Sequence, residues 1–297
     1  MKKIIVVTGG AGFVGSNLIK NLIEKTNYKI ISLDDYSSGF KKNHIKNRRI
    51  TYIKAHTKNI SNILNNKRSQ IKSLFHFGEF ARIYQSFINM NECIQSNTIG
   101  TNAVFDFCLK NKIKLIYSAT SASLGNKGED KNLSPYAFTK SKNLEFLENL
   151  KKWFNFKYEV IFFYNVYGPN QITKGKMATV IGIFEENYRK GKSLPVVKPG
   201  TQSRRFTHIN DTIEICLKAW KKNKCKFYSI SNKKSYTIEE VASLFRSKIR
   251  YLPPRKGERY ASALTNMSLS NKVYKNFGKI SIKKYIEDFK RENVKKK

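Results

Sequence analysis

Tyr136 precedes Lys140 by four residues in Ser134-Pro135-Tyr136-Ala137-Phe138-Thr139-Lys140, and the chain begins with a glycine-rich loop, Thr8-Gly9-Gly10-Ala11-Gly12-Phe13-Val14-Gly15. Together they read as a base beside a bound dinucleotide. A phenol ionises near pH ~10 in water, so it acts as a base at neutral pH only where a cation favours the phenolate. A lysine at i+4 on a helix is placed to be that cation. Spacing alone decides nothing, because Tyr188 and Lys192 repeat it in a segment with no other chemical feature.

The glycines supply the context. Gly9, Gly12 and Gly15 lie between a strand-like apolar run and a helical pattern, the setting in which such a loop binds a dinucleotide. Gly9 permits a tight turn, Gly12 lets backbone approach a pyrophosphate, and Gly15 allows the next helix to pack closely, with its N-terminal amides facing the phosphates. Asp34 closes the second strand-like run, where a carboxylate accepts hydrogen bonds from the adenosine ribose and repels a 2′-phosphate. NAD is thereby favoured over NADP.

The elements that must position these residues alternate along the chain. Strand-like runs at 3–8, 29–33, 50–54, 73–77, 114–118 and 158–164 are separated by helical stretches, which predicts an α/β fold with a Rossmann-type doubly wound parallel sheet. Phe13, Leu18, Ile19, Leu22 and Ile23 form one face of the first helix; segments 97–110, 135–152 and 213–220 suggest others. After Tyr164 the pattern becomes irregular, with a short strand at 227–230. A smaller C-terminal α/β substrate lobe is expected, so that residues 1–165 with about 206–230 form the cofactor domain, and about 166–205 with 231–297 form the lobe.

Composition sets outer limits. The 297 residues, 40% of them hydrophobic, suffice for a substantial core, and no apolar run approaches the ~20 residues of a membrane span. Cys93, Cys108, Cys216 and Cys225 lack metal-ligand spacing and fit reduced thiols in a cytoplasmic protein. His76 and His208 have no ligand partners at metal spacing and read as structural. The net charge of +36 invites a nucleic-acid partner. Its lysines are spread along nearly the whole chain, so a solvated surface is the better reading.

The ordered motifs resemble the extended short-chain dehydrogenase/reductases, specifically the NAD-dependent nucleotide-sugar epimerase/dehydratase family. The likeness runs from Lys2 to about Gly278. It rests on the glycine loop, Leu33-Asp34-Asp35, Phe75-His76-Phe77, Asn97 with Gly100-Thr101, Thr120-Ser121, Tyr136 with Lys140, Asn165-Val166-Tyr167-Gly168-Pro169 and Arg204-Arg205-Phe206. The resemblance implies that Gly9, Gly12, Phe13, Val14, Gly15, Asp34, Asp35, Phe77, Asn97, Tyr136, Lys140 and Tyr164 serve NAD. By the same resemblance Lys140 binds the nicotinamide ribose and lowers the Tyr136 pKa, Thr120 meets the reacting sugar hydroxyl, and Asn97 positions the cofactor or the active-site helix. Asn165, Arg204 and Arg255 would contact a UDP-sugar or other nucleotide sugar, the arginines through their planar forks. A homodimer through helices at 97–110 and 135–152 is also implied. On residues alone, Thr120 could be a strand-end hydroxyl satisfying backbone, Asn97 a helix hydrogen bond and Arg255 part of a surface turn.

Relatives that dehydrate or decarboxylate sugars carry a carboxylate shortly after the catalytic Ser or Thr, whereas Thr120 is followed by Ser121, Ala122 and Ser123. The expected reaction is therefore 4-epimerisation through a 4-keto sugar, with Tyr136 as base. The alternatives are a decarboxylase, dehydratase or 4-keto reductase, or a non-catalytic NAD- or RNA-binding protein. Four departures from the family pattern stand out. Ala55-His56-Thr57 replaces Gly-Asp-Ile and so lacks the adenine-side aspartate. Gly78-Glu79-Phe80-Ala81-Arg82 replaces an alanine-rich segment, so that Glu79 needs a counter-charge, with Arg82 the candidate. The stretch from Gly125 to Tyr136 is short, and an insertion near Ser262 obscures the residue that gates N-acetyl groups.

Overall fold

The computed structural model describes residues 3–124, 132–222, 224–257 and 273–294. Gly125 and Ser262 lie outside the described residues, as do residues 125–131 of the stretch that leads to Tyr136.

Eight strands form one parallel sheet: β1 (Ile4–Thr8), β2 (Lys29–Asp34), β3 (Ile50–Lys54), β4 (Ile71–His76), β5 (Lys114–Thr120), β6 (Tyr158–Phe163), β7 (Phe227–Ser231) and β8 (Val273–Phe277). Their spatial order is β8-β7-β6-β5-β4-β1-β2-β3. Flanking them are α1 (Phe13–Lys25), α2 (Thr101–Lys110), α3 (Pro135–Phe154), α4 (Val180–Arg189), α5 (Ile209–Lys221), α6 (Ile238–Leu244) and α7 (Ile282–Val294).

Strand alternation divides the core between the two faces. Ile4 and Val6 of β1 join Val104 and Phe105 of α2 and Leu147 of α3 on one side. Ile5 and Val7 join Leu18, Ile19 and Leu22 of α1 and Ile213 of α5 on the other. Each fully buried aliphatic side chain contributes ~2 kcal/mol, so both faces of the central strands must be apolar. That requirement is what the alternating sequence runs displayed.

A third core, built around Tyr167, Phe184, Phe206, Phe245 and Phe289, belongs to α4, α6, α7 and their connections. Short strand pairs, 194–197 with 249–252 and 203–204 with 236–237, tie these separated pieces together. One strand within the segment 231–297 belongs to the main sheet. Val273–Phe277 pairs in parallel with β7 as an edge strand of the main sheet. An edge strand is only half covered, and Val-Tyr-Lys-Asn-Phe has no long apolar run to mark it. No described helix is long and apolar enough to cross a membrane.

Candidate active site

The C-terminal ends of the central strands open into a cleft of about 530 Å³ between the sheet and the second lobe. The register aligns Thr8 of β1 with Leu33 of β2 and His76 of β4, and Thr120 of β5 with Phe163 of β6. Ligands of open parallel sheets bind at such an edge, where strand order reverses about β1.

The glycine loop forms one wall. Gly9 has φ +69°, and a Cβ there would sit 2.7 Å from the Gly78 nitrogen. A Cβ on Gly15 would lie 2.1 Å from the Gly9 carbonyl oxygen, so only glycine permits α1 to start this close to the loop. Gly12 caps α1 without any side-chain hydrogen bond. Asp34, nearly buried, accepts from the Ala11 amide at 2.9 Å and from the Tyr36 amide at 2.8 Å. Burial raises its pKa while the two amides lower it.

Nearly all the residues singled out by sequence line this one cleft: the loop glycines with Phe13 and Val14, Asp34, Asp35, Phe77, Thr120, Tyr136, Lys140, Tyr164, Asn165, Arg204 and Arg255. Asn97 does not. Fully buried in a π-helical turn at Gln95–Gly100, it bonds the Phe80 backbone through both ends of its amide and reaches Thr139 Oγ1 of α3 at 3.3 Å. It stands behind the active-site helix rather than in contact with the cleft.

Tyr136 lies in the first turn of α3, which Ser134 caps by accepting from the Ala137 amide at 3.1 Å, with Pro135 at the first helical position. Thr120 ends β5, accepts from the Ala122 amide at 3.1 Å and stands close enough to the Tyr136 phenol to lower its pKa. Burial pushes that phenol up to about 12; Thr120 and the Arg82 charge oppose the rise, and Glu79 adds to it.

Lys140 corrects the expected pairing of Glu79 with Arg82. The ammonium forms an ion pair with Glu79 and donates to the Ser118 carbonyl at 2.6 Å, both groups being buried. Arg82 instead turns its Nε to the Met177 carbonyl at 3.0 Å and stands near the phenol.

His76 has its two ring nitrogens taken up by Thr8 Oγ1 at 2.7 Å and Thr101 Oγ1 at 3.0 Å, and burial lowers its pKa to about 4. His208 caps α5 by accepting from the Asn210 amide at 3.2 Å. Both are structural. His56 also caps a turn, accepting from the Lys58 amide at 3.1 Å, and lines an adjoining cavity with Asp35.

A family model, NAD dependent epimerase/dehydratase family, matches residues 5–231. The chain belongs to that family. A putative UDP-glucose 4-epimerase of Methanocaldococcus jannaschii is 28% identical over 275 residues, 86% of this chain and 88% of its own. A UDP-N-acetylglucosamine 4-epimerase of Methanobrevibacter ruminantium, solved with UDP-N-acetylmuramic acid, superposes with TM-score 0.82 at 27% identity over 99% of this chain and 98% of that one. A UDP-glucose 4-epimerase of Thermus thermophilus solved with NAD shares the fold, with TM-score 0.81 at 19% identity over 97% and 99% of the two chains.

The family's cofactor is NAD, and the sheet side of the cleft fits it. The uncapped start of α1 and the space a Cβ would fill at Gly9 and Gly15 suit a pyrophosphate, and Asp34 suits a ribose. Two buried polar atoms of lining residues, Tyr164 Oη and Gln202 Oε1, have no hydrogen-bond partner, as expected where a ligand completes the site. Gln202 was not legible from sequence. Nothing distinguishes it from a loop glutamine until the fold brings it to the cleft.

Proposed function

We propose that this enzyme epimerises a nucleotide sugar at C4, UDP-glucose/UDP-galactose or an N-acetylated analogue, through a 4-keto intermediate. One observation carries the reading. Thr120 and Tyr136 lie together where the cofactor half of the cleft meets the second lobe, and among the described residues no free carboxylate stands beside them. Among the described residues the carboxylates lining the cleft are Asp34, Asp35 and Glu79. The first two are at the end of β2, and Glu79 is spent on Lys140. Elimination needs an acid at the sugar, whereas epimerisation needs only a base, a hydroxyl and the cofactor.

In this reading NAD, when bound, takes up the C4 hydride and gives it back. Tyr136 accepts the 4-hydroxyl proton as that hydride leaves, and Thr120 holds the oxygen in line. The Tyr136 hydroxyl then returns its proton to the 4-keto oxygen after the sugar has turned its other face. One N–H of Lys140 is left for a ribose hydroxyl, since Glu79 and the Ser118 carbonyl are its hydrogen-bond acceptors among the described residues. Arg204, Arg255 and Asn165 are suited to the diphosphate and sugar.

A homodimer is the companion proposal. Ile88, Met90, Ile94, Ile99 and Phe138 are exposed apolar residues on neighbouring segments beside α3. Cytoplasmic residence is favoured by four free cysteines, three of them buried. Incubation of the purified protein with UDP-glucose or UDP-N-acetylglucosamine, without added NAD, should yield the 4-epimer. Failure with every UDP- and dTDP-hexose would overturn the reading, and native mass spectrometry reads retained NAD and the dimer together.

A further inference from the structure

Glu79 is a carboxylate buried beside a base, and four donors converge on it. Its Oε1 accepts from Tyr117 Oη and from Thr101 Oγ1, each at 3.0 Å, with Asn143 Nδ2 at 3.5 Å, and its Oε2 holds Lys140. The loop that carries it is fixed in turn, because Asn97 clamps the next residue, Phe80, by both backbone groups. The π-helical turn at Gln95–Gly100 leaves the Asn97 carbonyl free for Asn143 Nδ2 at 2.7 Å, and the same amide reaches Tyr117 Oη at 3.1 Å. A second relay arrives from β1. Thr8 Oγ1 already accepts the Phe77 and Gly78 amides, so its proton goes to His76 Nδ1, and Nε2–H donates to Thr101, whose own hydroxyl then donates to Glu79.

The groups facing the phenol and the ammonium are Glu79, Arg82, Cys93, Tyr117 and His76. Burial keeps Cys93 and Tyr117 protonated and His76 neutral. Beside Lys140, the charges left at neutral pH are Arg82, tethered to Met177, and the single anion Glu79.

We infer that Glu79 is a positioning residue that holds Lys140 in place and balances its field, so that the Tyr136–Lys140 base works as a Glu–Lys–Tyr unit. The inference rests on the proposed role of Tyr136. Removal of the one anion leaves the Lys140 charge uncompensated, which favours the phenolate.

The test is an ultraviolet phenolate titration of the NAD-loaded protein, taking wild type and Glu79→Gln each against its own Tyr136→Phe background. Glu79→Gln should gain one phenolate below pH ~10.5 that wild type lacks, a shift of at least one pH unit, while Glu79→Asp, which keeps the charge, should titrate like wild type. Coincident curves for wild type and Glu79→Gln would overturn the inference. If Glu79→Gln does not fold, Tyr117→Phe combined with Thr101→Val strips two donors from the carboxylate and must move the pH profile of turnover; an unmoved profile would equally overturn it. The titration needs no sugar. A shifted phenolate without epimer from any substrate would therefore sink the proposed reaction and leave Glu79's role standing.

Discussion

Asn97 and Phe80 are joined as a peptide pair would be: Asn97 Oδ1 accepts from the Phe80 amide at 2.7 Å, and Nδ2 donates to the Phe80 carbonyl at 3.0 Å. A side chain thus substitutes for a strand partner where the chain leaves β4, and the residue before Phe80 is held against Lys140. Asn97→Ala would take from the Phe80 carbonyl its side-chain donor and leave the Phe80 amide only Ser96 Oγ at 3.1 Å. It would leave Thr139 with its bond to the Tyr136 carbonyl and its Cys93 contact. We expect a loss of about 2–3 kcal/mol, read as a lower denaturant midpoint with an unchanged slope. Asn97→Asp retains the acceptor alone and should fall between.

His76 gives the fold an acid limit. Its pKa is depressed from 6.5 to about 4, because burial disfavours the imidazolium. Above pH 6.5 both folded and unfolded chains hold it neutral, so it exacts no penalty there. As pH falls the unfolded chain takes the proton first, so stability drops from pH 6.5 to about 4 and then levels, by up to about 3 kcal/mol. Unfolding titrations in this window should show the slope, and His76→Gln, although less stable overall, should flatten it.

What sequence could show and what it could not differ in kind. β1 was legible because Ile4–Val7 faces apolar partners on both sides, and the Gly9–Gly15 loop because a positive φ and a near contact leave glycine no substitute. β8 was not, since Val273–Phe277 is half exposed and takes its place only by pairing with β7. The cleft residues were found through short motifs. The Glu79–Lys140 pair was missed because it joins residues sixty-one positions apart. Local proximity suggested Arg82, whereas the fold brings Lys140 down from α3 onto the β4 loop and sends Arg82 to Met177.

Gly15→Ala tests the phosphate loop. The added methyl would meet the Gly9 carbonyl oxygen at 2.1 Å and the Gly10 Cα at 2.8 Å, both backbone atoms with no room to retreat. α1 must then shift away from the loop, taking its free amides with it. The expected result is a folded protein that purifies without NAD and binds it at least tenfold more weakly, measured by quenching of intrinsic fluorescence on titration.

Tyr136→Phe tests the base. The phenol stands at about 12, chiefly because burial disfavours its charge, so the ligand-free protein holds it protonated at neutral pH. Turnover should therefore rise with pH on its acid side, as the fraction of phenolate grows, until a bound cofactor's positive ring lowers the midpoint. Phenylalanine keeps the ring and its packing against Cys93 and Ala137 but has no proton acceptor. Loss of turnover by about 10²–10⁴, with NAD still retained and the melting temperature close to wild type, is the expected outcome. A variant that kept wild-type turnover, or one that lost NAD together with activity, would move the base away from Tyr136.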